Sequence, residues 1–185
     1  MRRRATRTIL AVDDSRTNLS VLAHRLGNLG YLVVLADSGT QALELISARG
    51  FDLVLLDKVM PDISGIHVLQ EIRSARDTAD LPVIVLTAQS DPVGALDAFA
   101  AGADDYLARP FEFEVLAARI GRVLARADRI DELKRSNLAL DARIAARAIE
   151  LGETRAELAS GKADRKRLLA SIQTLNDELD RVASR

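Results

Sequence analysis

The chain has 185 residues, 48% apolar and 29% charged, with a net charge of −1 and neither cysteine nor tryptophan. That mix excludes collagen-like, disulfide-scaffold and wholly disordered classes, and the lack of cysteine excludes thiolate metal sites. All four prolines (Pro61, Pro82, Pro92, Pro110) and all six aromatics (Tyr31, Phe51, Phe99, Tyr106, Phe111, Phe113) lie within residues 31–113, so a folded domain followed by a segment of another kind is expected.

The Met1-Arg-Arg-Arg start runs into only a short apolar stretch, Ile9 to Val12, before two aspartates, so no secretory segment is expected. No stretch approaches the roughly 20 apolar residues of a spanning helix. A cytoplasmic protein without membrane insertion follows as the expectation.

Ile9–Val12 is apolar throughout and stops at Asp13-Asp14, the pattern of a buried strand ending in a polar loop. Ser15 to Leu29 has helical spacing (Leu19, Leu22, Leu26, Leu29), with Ser15 as N-cap and Gly30 as stop. Tyr31–Ala36 reads as a second buried strand, Thr40–Arg49 as a helix, and Leu53–Leu56 as a third strand running into Asp57. After the turn signal Met60-Pro-Asp-Ile-Ser-Gly65 come a helix (Ile66, Leu69, Ile72) and a fourth strand, Val83–Leu86, ending at Thr87. Pro92–Ala101 is expected as a helix opened by proline, and Tyr106-Leu107 as a short fifth strand ending at Arg109-Pro110. Strands that are apolar throughout, alternating with helices, point to an α/β fold with a doubly wound parallel sheet covered on both faces.

In such a sheet the reactive crevice lies at the carboxyl ends of the strands. Asp13, Asp14, Asp57, Thr87 and Arg109 all fall there. A lone aspartate at a strand end is ordinarily a turn residue and an Asp-Asp pair ordinarily a helix cap, but five polar residues at matching strand ends weigh against that reading. Carboxylates brought together repel, and a hard divalent cation such as Mg²⁺ relieves the repulsion through oxygen ligands. A carboxylate beside Mg²⁺ can attack phosphorus, because the metal neutralises charge on the transferring group.

Asp13-Asp14, Asp57 in Leu-Leu-Asp-Lys-Val-Met-Pro-Asp-Ile-Ser-Gly, Thr87 in Val-Leu-Thr-Ala, and Gly-Ala-Asp-Asp-Tyr-Leu-Ala-Arg-Pro-Phe match in order and spacing. Over roughly residues 5–125 the chain resembles a response-regulator receiver domain, the family that includes the chemotaxis regulator. The resemblance implies a flavodoxin-like five-stranded sheet of order 2-1-3-4-5 and a phosphoryl group delivered to Asp57 from a histidine kinase or phosphotransfer protein. It implies Asp14 as a direct Mg²⁺ ligand, Asp13 as a ligand through water or from behind, and the Val59 carbonyl completing the protein ligands beside Asp57. Thr87 would close on the phosphoryl group and Tyr106 would turn inward to report it, although Tyr106 equally suits simple core filling. Arg109 departs from the pattern, which has lysine there, and replaces a compact point charge with a planar fork. Lys58 follows Asp57, and strand alternation turns it away, as a surface or partner-contact residue. His24 and His67 lie on helices away from the strand ends.

From Phe111 onward one helix is expected to continue. With Ile130 at position a, eleven of the sixteen a and d positions through Val182 are apolar, the signature of a coiled coil. Asn137 at an a position favours a parallel dimer, and g–e pairing joins Glu150 with Arg155 and Glu157 with Lys162. The organisation expected is a receiver over 1–125 and a homodimeric coiled coil over 126–185. The competing architecture is a hairpin breaking near Ser160-Gly161 to form a four-helix bundle. Residues 126–185 hold 13 basic and 11 acidic side chains, too small a surplus to indicate nucleic-acid binding.

Three functions fit this organisation. The first is a phosphorylation switch passed to the coiled coil and an output partner. The second is the regulatory front of an enzyme of diguanylate cyclase or phosphatase type, with no catalytic domain of its own in this chain. The third is a phosphate sink or adaptor whose coiled coil does not switch.

Overall fold

The computed structural model describes residues 6–88 and 94–183. In chain order the elements are β1 (Thr8–Val12), α1 (Arg16–Asn28), β2 (Leu32–Ala36), α2 (Gly39–Ala48), β3 (Leu53–Asp57), α3 (Gly65–Ser74), β4 (Val83–Ala88), α4 (Gly94–Ala100), β5 (Asp105–Arg109) and α5 (Phe113–Ala183). The strands form one parallel sheet in the order β2-β1-β3-β4-β5, as the resemblance implies. Pro92, expected in the first turn of the fourth helix, lies outside the described residues.

Strand side chains alternate between the two faces of a sheet, and here each face has its own core. Ile9 and Ala11, Leu53 and Leu55, Ile84 and Leu86, and Leu107 pack with Leu19, Leu22 and Leu26 of α1 and Leu116, Ile120, Val123 and Leu124 of α5. The intervening residues, Leu10 and Val12, Val54 and Leu56, Val83 and Val85, pack with Ala42 and Ile46 of α2, Val68, Leu69 and Ile72 of α3, and Ala98 of α4. The central strand β3 is buried along its whole length. β2 is not the buried strand its composition suggests: it lies at the sheet edge, and Leu32 and Leu35 are exposed. A continuous apolar run does not report edge position, because that depends on which strand is left without a neighbour.

Serines start three of the helices. Ser15, Ser38 and Ser64 accept hydrogen bonds from the backbone N–H groups of Asn18, Gln41 and His67, each satisfying an otherwise unpaired first-turn donor. The loop before α3 is tied to α2 by Asp62, which accepts from Gly39 N, Thr40 N and the Thr40 hydroxyl. Hydrogen bonds, the largest from the Ile63 backbone, hold the Asp62 carboxyl down at about 2.

The chain divides into two units, Met1–Ile130 and Asp131–Arg185. The first holds the sheet and its covering helices. The second belongs to α5, and every side chain described there is exposed, including seam residues Leu133, Leu140, Ile144, Leu151 and Leu158. The helix runs without interruption through Ser160 and Gly161. The hairpin is thereby corrected: weak helix formers at two positions do not break a helix whose neighbours on both sides propagate it. Among the described residues, no helix is long and apolar enough to cross a membrane.

Candidate phosphoacceptor site

Side-chain alternation decides which strand-end residues meet. Ile9 and Ala11 face the α1/α5 side, and Asp13 continues their parity; Leu53 and Leu55 lead likewise to Asp57, and Leu107 to Arg109. These three side chains therefore emerge on one face at the carboxyl edge. Arg109 bridges the two acids: Nη1 donates to Asp57 Oδ1 at 2.9 Å and Nη2 donates to Asp13 Oδ2. Asp13 is fully buried and Asp57 is 7% exposed.

Burial pushes the Asp57 carboxyl up to about 6. Arg109 opposes that rise, the Asp13 charge adds to it, the Val59 N–H lowers it and the Asp14 charge adds a little more. Asp57 Oδ2 accepts from Val59 N at 3.3 Å. Asp57, Val59, Arg109 and Phe111 line an open cleft of about 550 Å³, so the acid is buried from the sheet side yet reachable from solvent.

The remaining expected residues are distributed differently. Thr87 has the opposite parity; it is 2% exposed and its hydroxyl donates only weakly, to Ala88 O at 3.5 Å. Tyr106 sits half-buried on the α2/α3/α4 side, edge-on to Phe99 with ring centroids 5.4 Å apart. Lys58 does turn away from Asp57, but to an intramolecular partner rather than open surface: Nζ donates to Asp97 Oδ2 of α4 at 3.2 Å. Asp14 is exposed, and among the described residues no three acidic or imidazole groups gather closely enough to hold an ion. Instead of three converging carboxylates there are two, with a guanidinium between them. The oxygen donors available, Asp13, Asp14, Asp57 and the Val59 carbonyl, are nevertheless the hard set that suits Mg²⁺.

Two contributors are absent from the sequence-based set. Asn18 Nδ2 donates to both oxygens of Asp13, at 3.1 and 3.2 Å. Its place three residues after the Ser15 cap, on the first turn facing the loop, was the available signal. Gly65 packs against the end of β3 so tightly that a Cβ would lie 2.1 Å from the Asp57 carbonyl oxygen. Its N–H donates to Lys58 O at 2.9 Å, so this glycine admits a close backbone approach as well as opening a helix.

The response regulator receiver domain family matches residues 9–121. The chain belongs to the response regulator receiver family. Response regulator MprA of Mycobacterium leprae is 46% identical over 121 residues, 64% of this chain and 51% of that protein. Transcriptional regulatory protein ZraR of Escherichia coli O157:H7 is 42% identical over 123 residues, 66% of this chain and 27% of that protein. The chain thus spans about half the length, or less, of these curated relatives. A putative response regulator from Chloroflexus aurantiacus superposes with a TM-score of 0.64 at 38% identity, covering 65% of this chain and 99% of that one. TrrA of Thermotoga maritima, solved in complex with Mg²⁺-BeF, superposes with a TM-score of 0.58 at 35% identity over 64% of this chain and 99% of that one. Receiver domains generally depend on Mg²⁺.

Proposed function

We propose that Asp57 accepts a phosphoryl group from the phosphohistidine of a histidine kinase or phosphotransfer protein, and that the change passes through α5 to a parallel coiled-coil dimer of residues 126–185. The observation that carries this reading is the Asp57 carboxylate itself, buried at the end of β3, paired with Arg109 and open to a cleft. An Asp57 oxygen forms the new P–O bond while the P–N bond to imidazole breaks, and the imidazole leaves with the electron pair and takes up a proton. Asp13, Asp14, Asp57 and the Val59 carbonyl would hold Mg²⁺, which would supply charge neutralisation on the transferring group. Arg109 carries positive charge at the same edge, and Thr87 offers a hydroxyl one residue beyond Leu86, the register partner of Asp57. The TrrA complex with Mg²⁺-BeF supports the metal dependence.

The dimer rests on the exposed stripe of α5 and its charge pattern. Leu140 is 48% and Ile144 66% exposed, and burying such residues against a second copy recovers about 25 cal/mol per Å² of apolar surface. Asn137 and the Glu150–Arg155 and Glu157–Lys162 pairs select the parallel register.

The test is incubation with Mg²⁺ and acetyl phosphate, followed by intact-mass measurement and crosslinking along α5. Gain of one phosphoryl group in wild type, none in Asp57→Asn, and an altered crosslink pattern in wild type alone are expected. Phosphorylation without any change in crosslinks would leave an acceptor but remove the switch.

A further inference from the structure

The hydrogen-bonding capacity of Asp13 is used up. Its Oδ1 accepts from Ser15 N at 2.8 Å and from Asn18 Nδ2 at 3.1 Å, and its Oδ2 accepts from Asn18 Nδ2 at 3.2 Å and from Arg109 Nη2. A carboxylate offers about four acceptor positions, so no lone pair of Asp13 is left for another cation. Three of these contacts come from a backbone amide and a side-chain amide on the loop and first turn of α1. The fourth, from Arg109, is the only charged one and the only one carried from another strand.

The same guanidinium spends its other terminal nitrogen on Asp57 Oδ1, at 2.9 Å. A planar fork can span two carboxylates with two separate N–H donors, which a single ammonium nitrogen does less well. The bridge neutralises two buried acids that would otherwise repel in a low-dielectric setting. The side chain of Arg109 is 28% exposed, against 1% for Asp13 and 10% for Asp57, so the arginine is the most open of the three to solvent.

We propose that Arg109 is a resident cation of this site, which a divalent metal must displace: the guanidinium bridge between Asp13 and Asp57 and a divalent ion on the same carboxylates are mutually exclusive. In the metal-free protein Arg109 holds the acceptor closed. Metal binding frees Asp13 Oδ2 and Asp57 Oδ1 together by sending the arginine out along the cleft that it lines with Phe111. Arg109 is thereby a positioning residue that sets how much divalent ion is needed before Asp57 is free. The identity of the ion as Mg²⁺ rests on the functional reading above, while the competition rests on the bridge alone.

The experiment is calorimetric titration of MgCl₂ into wild type, Arg109→Ala, Arg109→Gln and Arg109→Lys, with circular dichroism confirming the fold of each. Arg109→Ala and Arg109→Gln are expected to bind at least tenfold tighter than wild type, with Arg109→Lys between them. A second readout needs no variant. In ¹⁵N-arginine-labelled wild type, the Arg109 guanidinium resonances, assigned by their loss in Arg109→Lys, should show hindered rotation without metal and free rotation at saturating Mg²⁺. Equal or weaker binding by the folded Ala and Gln variants, or an Arg109 signal that stays hindered at saturation, overturns the competition. Failure of every form to bind Mg²⁺ overturns it too and removes the metal from the functional reading. Binding with unchanged affinity across the variants removes only the role given to Arg109.

Discussion

Asp57→Asn is expected to make the metal-free protein more stable at neutral pH, although it removes a partner of Arg109. The Asp57 carboxyl titrates at about 6 in the fold against 3.8 for a free side chain. That gap of about two pH units, at ~1.4 kcal/mol each, disfavours the ionised form by roughly 3 kcal/mol. The amide keeps an acceptor for the Val59 N–H, and the weaker bond it accepts from Arg109 is already contained in that gap, because the Arg109 charge is one of the causes that set the folded value. A net gain of about 3 kcal/mol at pH ~8 is expected, near 12 °C in Tm for a domain of this size. The sign is set by the folded value lying above the unfolded one. Between about pH 4 and 6 the folded state binds the proton more tightly, so wild-type stability falls as pH rises through that window and stays low above it. The variant lacks this fall, and below about pH 4 the two should converge. Urea unfolding in EDTA, followed by circular dichroism from pH ~4 to ~8, measures both curves. A variant no more stable than wild type at pH ~8, or a difference that does not change with pH, would refute the assignment of a burial-raised acid.

Three further outcomes are expected. Gly65→Ala places a Cβ 2.1 Å from the Asp57 carbonyl oxygen; it should cost about 2–4 kcal/mol in urea unfolding and reduce acceptance of phosphoryl from acetyl phosphate, and a wild-type midpoint would contradict the close approach. Arg73 donates to Gly102 O at 2.9 Å, Leu81 O at 2.8 Å and Asp104 Oδ2 at 2.9 Å; Arg73→Ala should cost about 2 kcal/mol, with Arg73→Lys recovering less than half, since one ammonium cannot reach all three acceptors in a fork. Ile144→Asp sets a carboxylate at the centre of the proposed seam and should weaken the dimer at least a hundredfold in sedimentation equilibrium, about 2.7 kcal/mol, whereas an unchanged association constant would exclude the a/d seam as the interface.

Much of the site is legible in the sequence. Asp13 and Asp57 interrupt apolar runs at equivalent ends, and Ser15 and Gly30 punctuate α1 as their local chemistry requires. Lys58 turns from Asp57 as strand alternation demands, but its tie to Asp97 joins residues 39 positions apart and could not be read locally. Thr87 and Tyr106 occupy the opposite parity to Asp57, a consequence of counting by two along β4 and β5 that the spacing already contained. Asn18 was missed because an asparagine in a first helical turn has a local explanation, and only folding brings its amide onto both oxygens of Asp13.

The sequence by itself determined the alternation of apolar strands with capped helices, the set of polar residues at the strand ends, and the heptad seam that follows. Each is encoded within a few residues, by burial periodicity, cap chemistry or turn preference. Tertiary structure decided which of those strand-end residues share a cation. Residues 13, 57 and 109 are separated by tens of positions, and their meeting depends on strand order, register and the side of the sheet each side chain takes. It also decided that β2 lies at an edge and that Asp14 stays exposed while Arg109 stands between Asp13 and Asp57, because the electrostatic partner of a buried acid is chosen by what folding places within reach.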